Sequence, residues 1–234
     1  MKHFPLFVAL LFAGTAANFA TSYTLDASNR GRYQNNGGRV TGNYIAGNAG
    51  FSEYYRNYFV FDLASVPSVE TITSATLRLL NPINGYNSAD PTETYTNFSL
   101  DSTSISALTN GNGSNALNVP IYADLGDGTA FSSGVSVSAA SNGTTVQISL
   151  NNSFLTYAQA NIGNSIAIGG AITTLDSDDN NHESIFGATT GTTSSDTQLI
   201  INTVPEPTIT FLLICGTLII AILRRNRGRT QRCS

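Results

Sequence analysis

The sequence predicts an all-β fold, a β-sandwich, on three observations. Short alternating or wholly apolar runs recur between residues 21 and 203, each broken by Gly, Asn or Asp, which is the pattern of half-buried and fully buried strands. Turn dipeptides stand between them, Asn-Gly at 84–85 and 142–143 and Asp-Gly at 127–128, whose residues tolerate the positive φ of tight turns. Finally, 12 Phe, 10 Tyr and many Val, Ile and Leu can fill a core in a chain otherwise rich in Gly, Asn, Ser and Thr.

Taken in order, strands are expected at Tyr23 to Leu25, Tyr58 to Asp62, Ala75 to Leu80 and Tyr95 to Leu100. The second of these is apolar at each of Tyr58, Phe59, Val60 and Phe61, which suits a central strand covered on both faces. Ile121 to Asp124 and Val135 to Ser138 follow, then Val146 to Leu150. There Val146, Ile148 and Leu150 fall on one face and Gln147 and Ser149 on the other, so one face is wet. A single helix is expected over Ser153 to Ala160, where Phe154, Tyr157 and Ala158 recur at helical spacing. Asn152 or Ser153 caps it and Gly163 stops it, giving a crossover between layers. Ile166 to Ile172, Ser184 to Phe186 and Gln198 to Ile201 complete ten short strands. The cluster Phe51, Tyr54, Tyr55, Tyr58, Phe59 and Phe61 reads as core; with no Trp in the chain, the usual stacking platform for sugars is missing.

Arg56 to Leu63 followed by Ile72 to Leu79 resembles the core of the jelly-roll ectodomains of exported bacterial proteins called disaggregatase-related or DNRLRE-like. The resemblance implies a jelly-roll-type β-sandwich. Some of those relatives are carbohydrate-binding modules, but the matched positions are core strands, so no sugar contact carries over.

The two ends read as addresses. Residues 1–20 run from Lys2 through an apolar stretch, Phe4 to Ala13, to small residues at Thr15, Ala16 and Ala17, the layout of a secretory signal peptide cleaved near Ala17, with Ala20 as the alternative. At the other end Thr208 to Leu223 is 16 residues without a charge, followed by Arg224, Arg225, Arg227, Arg229 and Arg232. A transmembrane helix over 208–223 would keep that Arg-rich tail, 224–234, in the cytoplasm and the preceding domain outside. Val204-Pro205-Glu206-Pro207 stands immediately before the span. Motif, apolar span and Arg cluster over 204–234 resemble the PEP-CTERM sorting signal of Gram-negative bacteria. The resemblance implies recognition of Pro205, Glu206 and Pro207 by an exosortase that cuts near them, with Val204, Arg224, Arg225 and Arg227 as further residues of the sorting and processing signal. It further implies Sec export, passage through the inner membrane and delivery to the cell surface or matrix. Cys215 and Cys233 depart from many relatives, and a plain tail anchor is the alternative.

Composition excludes several functions. Residues 18–203 hold five Arg, no Lys and fourteen Asp and Glu, a surplus that repels phosphate and argues against nucleic-acid binding. Both cysteines lie in the terminal segment, so the domain offers no disulfide or thiolate. The only Lys is Lys2, so a P-loop or Schiff base is ruled out. His182 is the only histidine beyond the signal and has no Gly-x-Ser-x-Gly elbow. Gly111 to Ala116 has the outline of a dinucleotide loop, but no helix is expected after it and no parallel sheet around it.

Two loops remain. Asp176, Asp178, Asp179, Asn180 and Glu183 form an oxygen-rich stretch able to wrap a structural calcium, although positions 6 and 12 of an EF-hand are here Asn181 and Gly187; a solvated acidic loop is the bland reading. The segment 86–93 offers Tyr86, Asp90 and Glu93 to a glycan, or is simply a Pro-broken connection. The expectation is a non-enzymatic exported surface, biofilm or exopolysaccharide-associated matrix protein without a cofactor unless that calcium binds. A carbohydrate-binding module attached to exopolysaccharide is the alternative, and a glycan-active enzyme comes third.

Overall fold

The computed structural model describes residues 20–50, 52–176, 182–187 and 193–206. In chain order they form β1 (Thr21–Asp26), β2 (Asn29–Gln34), β3 (Arg39–Thr41), β4 (Ala46–Asn48), β5 (Tyr54–Asp62) and β6 (Glu70–Asn81). After β7 (Asn87–Ser88) and β8 (Glu93–Phe98) come two helices, α1 (Ile105–Asn110) and α2 (Asn115–Asp124). Then follow β9 (Val135–Val137), β10 (Thr144–Leu150), α3 (Asn152–Ala160), β11 (Ser165–Ile172), β12 (Glu183–Ile185) and β13 (Thr197–Pro205). The chain divides into Thr21–Thr203 and a second unit made of 1–20 and 204–234; only the first is described further.

The strands form two sheets, one of four in the order β1-β13-β6-β10 and one of nine along β7-β12-β4-β5-β11-β8-β9, with β2 joined to β5 and β3 to β2. β10 lies antiparallel to β6 in continuous register from Thr144↔Asn81 to Leu150↔Ala75. In the larger sheet β5 is central, paired with β11, β2 and β4. This sheet cannot be flat. β7 and β8 are five strand spacings apart along it, about 24 Å if flat, yet Ser88 and Glu93 are linked by a chain of five residues that spans at most about 17 Å. The sheet therefore curls until its β7–β12 end meets the start of β8, and a side-chain bond closes the gap: Ser88 Oγ donates to Glu93 Oε1 at 2.7 Å.

The alternation of apolar residues explains the layers. Leu77, Leu79, Val146, Ile148, Leu199 and Ile201 from the smaller sheet meet Phe59, Phe61, Tyr95, Ile166, Ile168 and Ile185 from the larger one in a single core. Val146, Ile148 and Leu150 are buried while Gln147 and Ser149 are exposed, as the alternation requires. The other face of the large sheet is covered too. Tyr58, Val60 and Ala167 pack with Tyr33 against Leu108 of α1 and Ile121 and Leu125 at the end of α2, which is why β5 is apolar at successive positions. α3 begins one residue earlier than expected and is capped by Asn151, whose Oδ1 accepts from Ser153 N and Phe154 N at 3.0 and 3.2 Å. Gln159 then ties it to β6, accepting from Ile72 N at 2.7 Å and donating to Glu70 O at 3.1 Å.

Two expectations are corrected. Ile121 to Asp124 is not a strand but the last turn of α2. The outer face of β5 and β11 needs an apolar cover, and Ile121 and Leu125, four apart and so on one face of a helix, supply it by packing against Tyr58, Val60 and Ala167. A helix also follows Gly111 to Ala116 after all, since α2 starts at Asn115; helix α1 precedes the segment where a dinucleotide fold has a strand. Tyr58, Phe59 and Phe61 are fully buried and Tyr55 nearly so; Tyr54 is half-buried, and Phe51 lies outside the described residues.

Candidate metal centre

The closure of the curled sheet brings together the two loops that the sequence presents separately. β12 pairs with β7 in the register Glu183↔Ser88 and Ser184↔Asn87, so the carboxylate at the end of the 176–183 stretch lands beside segment 86–93. On its other side β12 pairs with β4, Glu183 opposite Asn48 and Ser184 opposite Gly47. The approach there is so close that a Cβ on Gly47, at φ +109°, would lie 2.1 Å from Glu183 O. Only glycine fits, and the backbone carrying Glu183 is held against β4.

Asp90, Asp176 and Glu183 each present a carboxylate oxygen, all within 4.8 Å of one another. Asp90 and Asp176 are exposed and Glu183 is buried. Glu93 lies behind them, fully buried, accepting from Ser88 Oγ and Thr174 Oγ1, both at 2.7 Å. Thr174 is itself fixed by accepting from Thr94 N at 2.9 Å, and Ser88 Oγ accepts from Asp90 N at 3.0 Å. Asp176 N donates to Glu183 Oε2 at 3.0 Å. Tyr86 completes the rim, half-buried, its hydroxyl donating to Asp90 O at 2.5 Å.

The electrostatics follow from three clustered carboxylates and a fourth, Glu93, near enough for its charge to act on Glu183. Burial pushes Glu183 up from its ordinary 4.5 to about 7, helped by the facing Asp176 carboxyl and the charge of Glu93. Tyr86 is also raised, first by burial and then by Glu93, Asp90 and Glu183. Every charged group acting on Glu183 is thus another carboxylate, and carboxylates crowded this way hold a proton or a cation. Oxygens within 4.8 Å of each other can share one ion bound at about 2.3–2.6 Å, the calcium distance.

Of the residues singled out in the sequence, Tyr86, Asp90, Glu93, Asp176 and Glu183 converge here. Asp178, Asp179 and Asn180 lie outside the described residues, as do Pro207, Arg224, Arg225, Arg227 and the apolar span 208–223. Val204 and Pro205 end β13, and Glu206 is exposed. Ser88 and Thr174 escaped sequence reading, because nothing in a lone Ser or Thr announces that it will hold a carboxylate across a sheet closure. Among the described residues no helix is long and apolar enough to cross a membrane. No family model matches the chain, and a search of the curated proteins returns no match.

Proposed function

We propose that the chain is a non-enzymatic exported protein of the cell surface or extracellular matrix. It is carried by the Sec route, held in the inner membrane, and processed at its C-terminal signal by an exosortase, with a jelly-roll-type sandwich as the displayed unit. One observation carries this reading: the order Val204-Pro205-Glu206-Pro207, sixteen uncharged residues, then the arginines from Arg224 onward. A cytoplasmic Arg cluster and an apolar span orient the acidic domain outward. The test is intact mass and membrane fractionation in the native host, with and without Pro205, Glu206 and Pro207 changed to Ala. The wild type should lose the segment after about Val204 and leave the inner membrane, while the variant stays full-length and embedded. If both remain full-length in the membrane, the tail is an anchor only.

A second reading is favoured by the convergence of Tyr86 with Asp90, Asp176 and Glu183. Here the centre holds a calcium ion, and the solvent-facing side of that site, with the Tyr86 ring, attaches the domain to exopolysaccharide. Glycan binding that needs calcium and is lost in Asp90→Ala supports it. Binding that is indifferent to both a chelator and that substitution removes it.

A further inference from the structure

We propose that the outer edge of β10 is the surface on which two copies of this domain associate, strand against strand. Among the described residues β10 pairs with β6 alone and ends the smaller sheet. Every second residue of such a strand turns its N–H and C=O away from its single neighbour, a template for another strand. Edges are normally guarded by Lys, Pro, a bulge or shortness. This one runs seven residues, Thr-Thr-Val-Gln-Ile-Ser-Leu, with no charge and no Pro, and its one-to-one register with β6 leaves no bulge.

Charge selects the occupant. The domain carries fourteen carboxylates against five arginines, yet from Gly128 to Leu175, 48 residues, there is no charged side chain. β9, β10 and α3 all lie within that stretch. Two copies of an acidic domain repel through most approaches, and an approach led by β10 brings the uncharged stretch forward. Ile83, 77 % exposed, stands at the entrance to the strand, its Cγ1 3.7 Å from where a Cβ on Gly143 would be. An antiparallel pair of identical strands centred on Gln147 or Ile148 is self-complementary. It matches Val146, Ile148 and Leu150 with their own kind on the core side and Thr145, Gln147 and Ser149 on the outer side, since pairing about a residue preserves the face.

The test uses the full chain in detergent, so that any association of the apolar tail is common to all variants. In sedimentation equilibrium the wild type should dimerise, and Gln147→Lys with Ser149→Lys, both exposed positions, should weaken the dimer at least about tenfold by opposing like charges across the pair. Circular dichroism should be unchanged. In a chain with Cys215 and Cys233 changed to Ser, Gln147→Cys should cross-link to itself through a short bismaleimide, because opposed or diagonal residues lie about 5–8 Å apart. Thr24→Cys, on the β1 edge, should not. A monomeric wild type, a dimer indifferent to the two lysines, or cross-linking at Thr24 in place of Gln147 overturns the proposal.

Discussion

Raising the pH from 5 to 7.5 in the presence of a chelator should destabilise the domain, and Glu183 is the reason. Its carboxyl is raised from 4.5 to about 7 in the folded protein. In the unfolded chain it releases its proton near 4.5, so between the two values the folded state binds more protons than the unfolded one. Stability therefore falls as pH rises through that window and levels off above about 7. At about 1.4 kcal/mol per pH unit the displacement is worth at most about 3 kcal/mol. Water at the rim, where Asp90 and Asp176 are exposed, screens it to about 1–2 kcal/mol. For a domain of this size that is about 3–6 °C in Tm. The assay is thermal unfolding of the full chain in detergent, followed by circular dichroism. Glu183→Gln keeps the acceptor for Asp176 N but removes the charge, so its Tm should not change across the window. Calcium at 100 times its Kd should stabilise the wild type at pH 7.5 by about 2.7 kcal/mol and leave Glu183→Gln unmoved. A wild type whose Tm is flat between pH 5 and 7.5 in chelator, or a Gln variant that falls by the same amount, refutes the reasoning.

Two further substitutions probe the frame. Asp124, 5 % exposed at the end of α2, accepts from the backbone N–H groups of Asp101, Ser102 and Thr103 at 2.7–3.2 Å. Burial alone would raise its pKa, but the Thr103 side chain and then those backbone bonds hold it below the ordinary value, so its contribution is present above the unfolded pKa and is lost as pH falls through the folded one. Asp124→Ala should cost about 2–3 kcal/mol in denaturant unfolding at pH 7, and the loss should shrink as the pH falls below the ordinary Asp value of 3.8. Gly170→Ala would place a Cβ 1.9 Å from Tyr95 Oη and 2.4 Å from Asn57 Oδ1, hard against both ends of their 2.7 Å hydrogen bond. A destabilisation of about 2–3 kcal/mol is expected, near the upper end of overpacking costs, and a neutral substitution would show that this part of the core yields.

What could be read from the chain was what periodicity controls. β10 and β11 are legible because the core and the coat demand apolar residues at fixed positions; Val146, Ile148 and Leu150 follow directly. β2 was illegible. Its Asn29, Arg30, Gly31 and Arg32 look like a loop, and they form a strand because tertiary partners satisfy them: Arg30 donates to Thr197 Oγ1 at 2.9 Å, and Arg32 lies over the Tyr55 ring at 4.2 Å. α2 was misread because a short apolar run fits either period until a sheet face is there to be covered. The candidate centre was half legible. Its residue types drew attention to both loops, but the register Glu183↔Ser88 joins positions 95 apart in sequence, and no local pattern encodes it.

The position of the centre gives it a structural meaning. Elsewhere the large sheet is held by backbone ladders, but from β7 to the start of β8 it closes through Ser88, Glu93 and Thr174 side chains. Glu93 and Glu183 are buried on the protein side of the cluster, and Asp90 and Asp176 are exposed on the other. Four like charges at a closure push it open, so a proton or cation there acts first on the curl of the sheet. A calcium ion on Asp90, Asp176 and Glu183 takes fewer oxygens from these carboxylates than the 6–8 it accepts, unless other groups add more. Tyr86 lies beside exposed Asp90, so an ion held by these residues would steady the fold and could also accept ligand hydroxyls from solvent. The two roles separate in Asp90→Ala. That change removes an exposed ligand and leaves the buried Glu93 and Glu183 in place, so it should weaken glycan attachment far more than it lowers the calcium-dependent rise in Tm. Equal losses of both would mean that Asp90 acts on attachment only by holding the ion, and that the two roles are not separable at this residue.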